Sequence, residues 1–228
     1  MDIVYICRFG DNEELRYSIR SLVNVPHDEI WVVGGRPGWY NGKYIGVRPM
    51  ADKYAHAREN LKNIVLDKRI SENFILMNDD FFIIEPVDCV EYFHNGSIEQ
   101  KIKTYKQAFG VNSYVEVLEN SLKTLNDLNT KTRLDYALHV PMVMSKTKLK
   151  VILKHPGSVR INYGNIYEVG GSQMEDVKVH LQSAGGPRQY DYMRPRSPYL
   201  STNDQTFKSV KDNLLHKLFP NRSDREYR

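Results

Sequence analysis

Phe74-Ile75-Leu76-Met77-Asn78-Asp79-Asp80-Phe81-Phe82-Ile83-Ile84 is the stretch on which the fold turns: three polar residues interrupt two apolar runs. An apolar run of strand length that ends abruptly in carboxylates reads as a buried strand delivering charge to the edge of a sheet. Two adjacent carboxylates repel each other, so they sit in water, face a cation or share one proton. The first option makes the pair a solvated turn between two hydrophobic strands. The Phe and Ile residues on both sides leave little polar surface to dissolve it, which favours a hard divalent cation such as Mg²⁺ or Mn²⁺, itself holding a diphosphate.

Upstream, strands and helices alternate. Residues 2–7 form an apolar run closed by the turn chemistry of Arg8-Phe9-Gly10-Asp11-Asn12. Asp11 or Asn12 then caps a helix with Glu13 and Glu14 in its first turn and Leu15, Ile19, Leu22 and Val23 on one face. Residues 29–35 give a second strand ending in Gly34-Gly35, where backbone can approach a ligand closely, and residues 44–47 a short third. A helical pattern from Tyr54 to Ile70, with Ala57, Leu61, Ile64, Val65 and Leu66 as its apolar face, leads into the acidic strand. This order predicts an α/β fold with a mostly parallel central sheet flanked by helices, whose ligands sit at the carboxyl ends of the strands. Arg8, Arg36, Arg48, Asp79 and Asp80 then share one rim.

Beyond Pro86 the character changes. Residues 87–130 are rich in Lys, Glu and Asn and predict a helical insert, with helices over 98–109 and 114–128. Residues 136–144 read as another apolar strand with His139 in its middle, and Ser145 caps a basic helix running to Lys154. His139 is either a satisfied core histidine or, facing the site, a metal ligand. Asn203-Asp204 carries an N-cap signal for a helix with Phe207, Val210, Leu214, Leu215 and Leu218, stopped by Phe219-Pro220.

The chain has 228 residues, 41% of them apolar, enough for one large domain over 1–228. Its division is expected to be a ligand-binding half (1–85), the helical insert (87–130) and a second half with the C-terminal helix (131–228). No run approaches the roughly 18 apolar residues of a membrane span, and Met1-Asp2-Ile3-Val4 enters a strand directly, so a soluble, cytoplasmic protein is expected. Cys7 and Cys89 are too few for a disulfide framework. The net charge of +4 permits a polyanionic partner without requiring one. Arg188, Arg194, Arg196, Arg222, Arg225 and Arg228, with Tyr190, Tyr192 and Tyr199 interleaved, either lie along a phosphate backbone or form a solvated strip.

A family resemblance enters on particular residues. The first strand with its basic turn, the strand ending in Gly34-Gly35, the helix with Asn60 and the strand ending in Asn78-Asp79-Asp80 resemble the glycosyltransferase A fold, a Rossmann-like architecture. The segments 7–22, Trp31-Val32-Val33-Gly34-Gly35 and 77–82 are similar to the small glycosyltransferases of tailed bacteriophages. Glu14-Leu15-Arg16-Tyr17-Ser18, Asn78-Asp79-Asp80-Phe81 and the closing residues 219–223 with Glu226 are similar to the Stealth proteins, which transfer sugar phosphates. The resemblance covers 1–85 well and 135–228 more loosely. Asn-Asp-Asp departs from the stricter Asp-x-Asp of many such enzymes, so either Asn78 or Asp79 takes the place of the first carboxylate.

The resemblance implies a metal-dependent hexosyltransferase with a nucleotide-sugar donor such as UDP-glucose, its diphosphate bridged by Mn²⁺ or Mg²⁺ through Asp80 and Asp79 or Asn78. A divalent ion there would stabilise the charge of the leaving nucleoside diphosphate. Arg8, Gly35 and Arg36 would contact the nucleotide, and Arg58 and Asn60 the base or ribose. An inverting enzyme needs a carboxylate base for the acceptor hydroxyl, and the candidates are Asp176, slightly favoured, and Asp204, which can equally be a helix cap. The implied acceptor is phage DNA with hydroxymethylated pyrimidines, or else a virion or host protein. The competing expectations are a Stealth-like hexose-phosphate transferase and a non-catalytic nucleotide- or nucleic-acid-binding module.

Overall fold

The computed structural model describes residues 1–180 and 197–227, and these form two compact units. One is built from the described residues of Met1–Val90, His139–Met144 and Val177–Arg228, the other from Glu91–Leu138 and Ser145–Asp176. The Arg188, Tyr190, Tyr192, Arg194, Arg196 and Arg228 side chains of the basic strip lie outside the described residues.

The first unit is an α/β body with a five-stranded sheet in the order β3-β2-β1-β4-β7. Its strands are β1 (Asp2–Cys7), β2 (Ile30–Gly34), β3 (Lys43–Gly46), β4 (Asn73–Asn78) and β7 (Met142–Ser145). The pairs β1–β2, β1–β4 and β2–β3 are all parallel. Such a sheet is covered on both faces, which is why Ile3, Val4, Tyr5, Val32, Val33, Phe74 and Met77 are fully buried. The helices α1 (Glu13–Ser21) and α2 (Lys53–Leu66) flank it. From β1 the chain builds outward through β2 and β3, then returns to place β4 on the other side of β1. The strand order therefore reverses between β1 and β4, and the carboxyl ends of these two strands border the crevice where doubly wound sheets bind ligands.

Several boundaries differ from expectation for identifiable reasons. The acidic strand ends where expected, β4 at Asn78 with Asp79 and Asp80 in a turn, but the second apolar run belongs to another sheet, β5 (Phe81–Ile83) pairing antiparallel with β9 (Tyr199–Ser201). The last strand of the main sheet begins at Met142, after Pro141, whose missing N–H cannot join a ladder, so His139 precedes the strand instead of lying within it. Val23 is 81% exposed because α1 gives way to a 3₁₀ turn at Leu22–Asn24, which rotates it off the buried face. The C-terminal helix is interrupted: α7 (Phe207–Val210), a π turn (Lys211–Leu215) and α8 (His216–Leu218) follow one another. Tyr17, Phe82, Val179, Leu200, Val210, Leu215 and Phe219 pack together beneath it.

The second unit holds the expected helical pair, α3 (Ile98–Phe109) and α4 (Ser113–Asp127), capped by Ser97 and Asn112. It also contains β6 (Phe93–His94), α5 (Lys146–Ile152), α6 (Val159–Ile166) and β8 (Ser172–Gln173). Its core joins Ile98, Ile102, Val115, Leu118, Leu125 and Ile161. Among the described residues no helix is long and apolar enough to cross a membrane.

Candidate functional site

The β1–β4 switch point carries a dense cluster of charge. Asn12, at the end of the loop after β1, caps α1 by accepting the Leu15 N–H at 3.1 Å through Oδ1. Its Nδ2 donates to Asp79 Oδ2, so one side chain ties the helix start to the acidic turn. The Arg8 backbone N–H also donates to Asp79, at 3.4 Å. The Arg8 guanidinium then reaches three carboxylates: Glu14 through Nη2, Asp204 through Nη1 at 2.6 Å, and Asp79 through Nε at 3.8 Å. Asp80 faces the other way round the turn, accepting from Lys178 Nζ at 3.1 Å and Ser201 Oγ at 3.4 Å. The Thr202 N–H donates to the Asp80 carbonyl at 3.3 Å, and the Thr202 hydroxyl donates to Glu14 Oε1 at 3.3 Å.

Four carboxylates (Glu14, Asp79, Asp80, Asp204) thus face two cations (Arg8, Lys178), an excess of two negative charges. Burial, with the neighbouring carboxylates adding to it, raises the pKa of the least exposed members. Burial pushes the Glu14 carboxyl up to about 7 against the pull of Arg8, with the charges of Asp79, Asp80 and Asp204 adding to it. Burial and the adjacent Asp80 raise Asp79 to about 6, against the hydrogen bond from Asn12. For Arg8, burial alone would lower the pKa, but the hydrogen bond to Asp204 and the charges of Glu14 and Asp79 raise it.

A pH dependence follows. Glu14 ionises near 4.5 in the unfolded chain and near 7 in the folded one, so between these values the native state binds the extra proton. Stability therefore falls as pH rises through that window. Chemical denaturation at pH 5 and pH 8 is expected to show this loss, and Glu14→Gln should reduce it to the smaller part that Asp79, raised to about 6, contributes. An equally steep loss in the variant would assign the effect to another group.

The other expected residues fall as follows. Gly34 and Gly35 pack directly against the β1 end: a Cβ at Gly34, whose φ is +118°, would lie 2.3 Å from the Cys7 carbonyl, and one at Gly35 would lie 2.4 Å from that of Arg8. Asn78 ends β4 in register with Ile6. Arg36 donates to the Tyr40 carbonyl at 3.2 Å and to Tyr227 Oη at 3.4 Å, with its guanidinium 5.7 Å from the Tyr44 ring. Arg58 is half-buried on α2, and burial lowers its pKa. Asn60 is 2% exposed on the same helix. His139 stands edge-on to Phe81 at 5.9 Å. Asp204 belongs to the Arg8 cluster, whereas Asp176 is the last residue of the second unit. Neither Asn203 nor Asp204 caps the helix, whose N-cap is Thr206 with no side-chain cap bond; Asn203 Oδ1 closes the turn before it by accepting the N–H groups of Gln205 at 3.0 Å and Thr206 at 3.1 Å.

Among the described residues no three His, Cys, Asp or Glu side chains stand close enough to hold a metal ion, so Asp79, Asp80 and His139 do not form a ready-made cage. The donor chemistry nevertheless suits a hard cation, with two carboxylates and the Ser201 hydroxyl on one turn and its partner strand. Asn12, Glu14, Lys178, Ser201 and Thr202 are site residues that the sequence reading did not single out. A signal existed for Glu14: with Ser18 and Ser21 it places polar groups among Leu15, Ile19 and Leu22, marking a helix buried on most sides.

Comparison of the chain with models of known protein families gives no match, and comparison with curated protein sequences gives none either.

Proposed function

We propose that the chain is a metal-dependent glycosyltransferase of the glycosyltransferase A type that takes a nucleotide sugar, with a UDP-hexose as donor. The observation that carries this is the excess of two negative charges around Asp79 and Asp80 at the switch point of a parallel sheet, beside the Arg8 guanidinium. Asp79 and Asp80 would hold Mn²⁺ or Mg²⁺, which supplies charge neutralisation for a leaving diphosphate. Arg8 has the fork geometry for phosphate oxygens, and its present carboxylate partners keep it extended at the crevice. Asp204, 76% exposed at the edge of the cluster, is the carboxylate there best placed to take an acceptor proton. The acceptor class favoured by the sequence is hydroxymethylated phage DNA, with a virion or host protein as the other candidate.

A Stealth-like phosphotransfer is the second reading, favoured by the closing residues 219–226. They dock onto α1 through a buried Arg20–Glu226 pair and so belong to the same body as the acidic turn. Product analysis separates the two. Incubation with UDP-sugars and Mn²⁺ is expected to release UDP, whereas UMP would mean phosphosugar transfer. Release of neither, with any donor, would exclude both enzymes and leave a nucleotide-binding module.

A further inference from the structure

The turn joining α3 to α4 holds two large apolar side chains out in water. Phe109 is 62% exposed and Val111 is 69% exposed, one on each side of Gly110. Neither belongs to a loose segment. Gly110, at a φ of +68°, donates its N–H to the Lys106 carbonyl at 3.0 Å and closes α3, and Asn112 Oδ1 accepts the N–H groups of Tyr114 at 3.0 Å and Val115 at 3.1 Å to open α4. The Phe109 ring stands 5.4 Å from that of Tyr105, which is 5.1 Å from that of Tyr114, and both tyrosines pack on the core of the second unit. The turn is thus a braced wedge with an apolar tip. Charge around it has one sign: residues 100–115 carry Lys101, Lys103 and Lys106 and no Asp or Glu. Lys101 turns to the buried Asp135, and Lys106 meets Glu119 in a pair open to water. Lys103 is exposed, with no ion-pair partner among the described residues.

We propose that this turn is a membrane-contact element: Phe109 and Val111 enter the headgroup and upper acyl region of an anionic bilayer, while Lys103 and Lys106 meet lipid phosphates. Tyr105 and Tyr114, each an apolar ring with a polar end, stand behind the tip, where tyrosines favour the membrane–water boundary. An anionic surface complements the lysines, and a lipid one complements the convex apolar tip. A nucleic acid complements the lysines alone, because Val111 has no flat face to stack on a base. Two apolar side chains and two lysines give a reversible contact, not a span, and the contact does not depend on the transferase reading.

Co-sedimentation of the full chain with lipid vesicles tests it. Vesicles in which a third of the phosphatidylcholine is replaced by phosphatidylserine are expected to bind at least ten-fold more tightly than pure phosphatidylcholine, and raised salt should remove the difference. Phe109→Ser and Val111→Ser, both at exposed positions, should keep the parent's melting temperature and each weaken vesicle binding at least five-fold. Lys103→Gln combined with Lys106→Gln should erase the preference for phosphatidylserine. Equal sedimentation with the two vesicle types, or binding undiminished in both serine variants, overturns the proposal. So does a chain that no vesicle retains but whose self-association or binding of single-stranded DNA is lost in the serine variants, which would give the wedge to that partner instead.

Discussion

Asp80→Ala is expected to lower Mn²⁺-dependent release of nucleotide from a UDP-sugar by about a hundred- to a thousand-fold, the loss typical of deleting one preorganised electrostatic contact to developing charge. Asp80 carries this weight because its carboxylate is held by Lys178 and Ser201 on strand-bound neighbours, so it is already oriented when a cation arrives. Removing it also frees Lys178, whose ammonium would then sit where the metal charge is needed. It cannot bridge two phosphate oxygens as a divalent ion does, so the activity is not replaced. Asp80→Asn separates charge from shape: it keeps the contact to Ser201 and removes the negative charge, and should be nearly as inactive. Turnover by Asp80→Ala within two-fold of the parent would remove the acidic turn from the mechanism.

The second large effect concerns stability. Arg20 and Glu226 form a bidentate pair at 2.7 and 2.8 Å, with side chains 8% and 2% exposed. Glu226 also accepts the Ser223 N–H at 2.9 Å, and Arg20 donates to the Phe219 carbonyl at 3.4 Å. Burial alone would raise the Glu226 pKa; the bonds from Arg20 and Ser223 outweigh it and hold it low. Its stabilising contribution is therefore present at neutral pH and is lost as pH falls through that lowered value. Breaking the pair from one side leaves a buried uncompensated charge, at a cost of about 3–5 kcal/mol. Glu226→Leu is expected to lower the melting temperature by roughly 10 °C, and the double variant Arg20→Met with Glu226→Leu to recover most of it. A double variant as unstable as the single one would show that the cost comes from lost packing instead of stranded charge.

Much of the first unit was legible in the sequence because parallel strands buried on both faces write themselves as apolar runs. Residues 2–7, 30–34 and 73–78 fall within one or two positions of their expected bounds. What escaped has physical reasons. Asn78-Asp79-Asp80 marks the end of β4, but only the partner β9, more than a hundred residues later, assigns Phe81–Ile83 to another sheet. Asp204 reads as a helix cap in the sequence, but the helix starts later, at Phe207 after Thr206, and Asp204 turns instead to Arg8, a tertiary partner. Lys178 and Ser201 carry no motif at all, since a lysine or serine becomes part of a charge cluster only through where the chain returns. His139 was placed in a strand by the apolar residues around it, although Pro141 argued for a later start. The Arg and Tyr residues of 188–196 lie outside the described residues, so the acceptor rests on sequence alone.

The two-residue link between β4 and β5 has a mechanical corollary. Asp79 and Asp80 are pinned on both sides by ladders running in different sheets, and the partner β9 leads without a break into Thr202 and Asp204. The acidic turn and the distant Asp204 segment are therefore geared together, so that displacing either drags the other. An insertion of one residue between Asn78 and Phe81 that shifted the β5–β9 register by one would turn the core-facing side chains of β5 to the other face and unseat Phe82 from its core. The length of this link is thus as fixed as its chemistry.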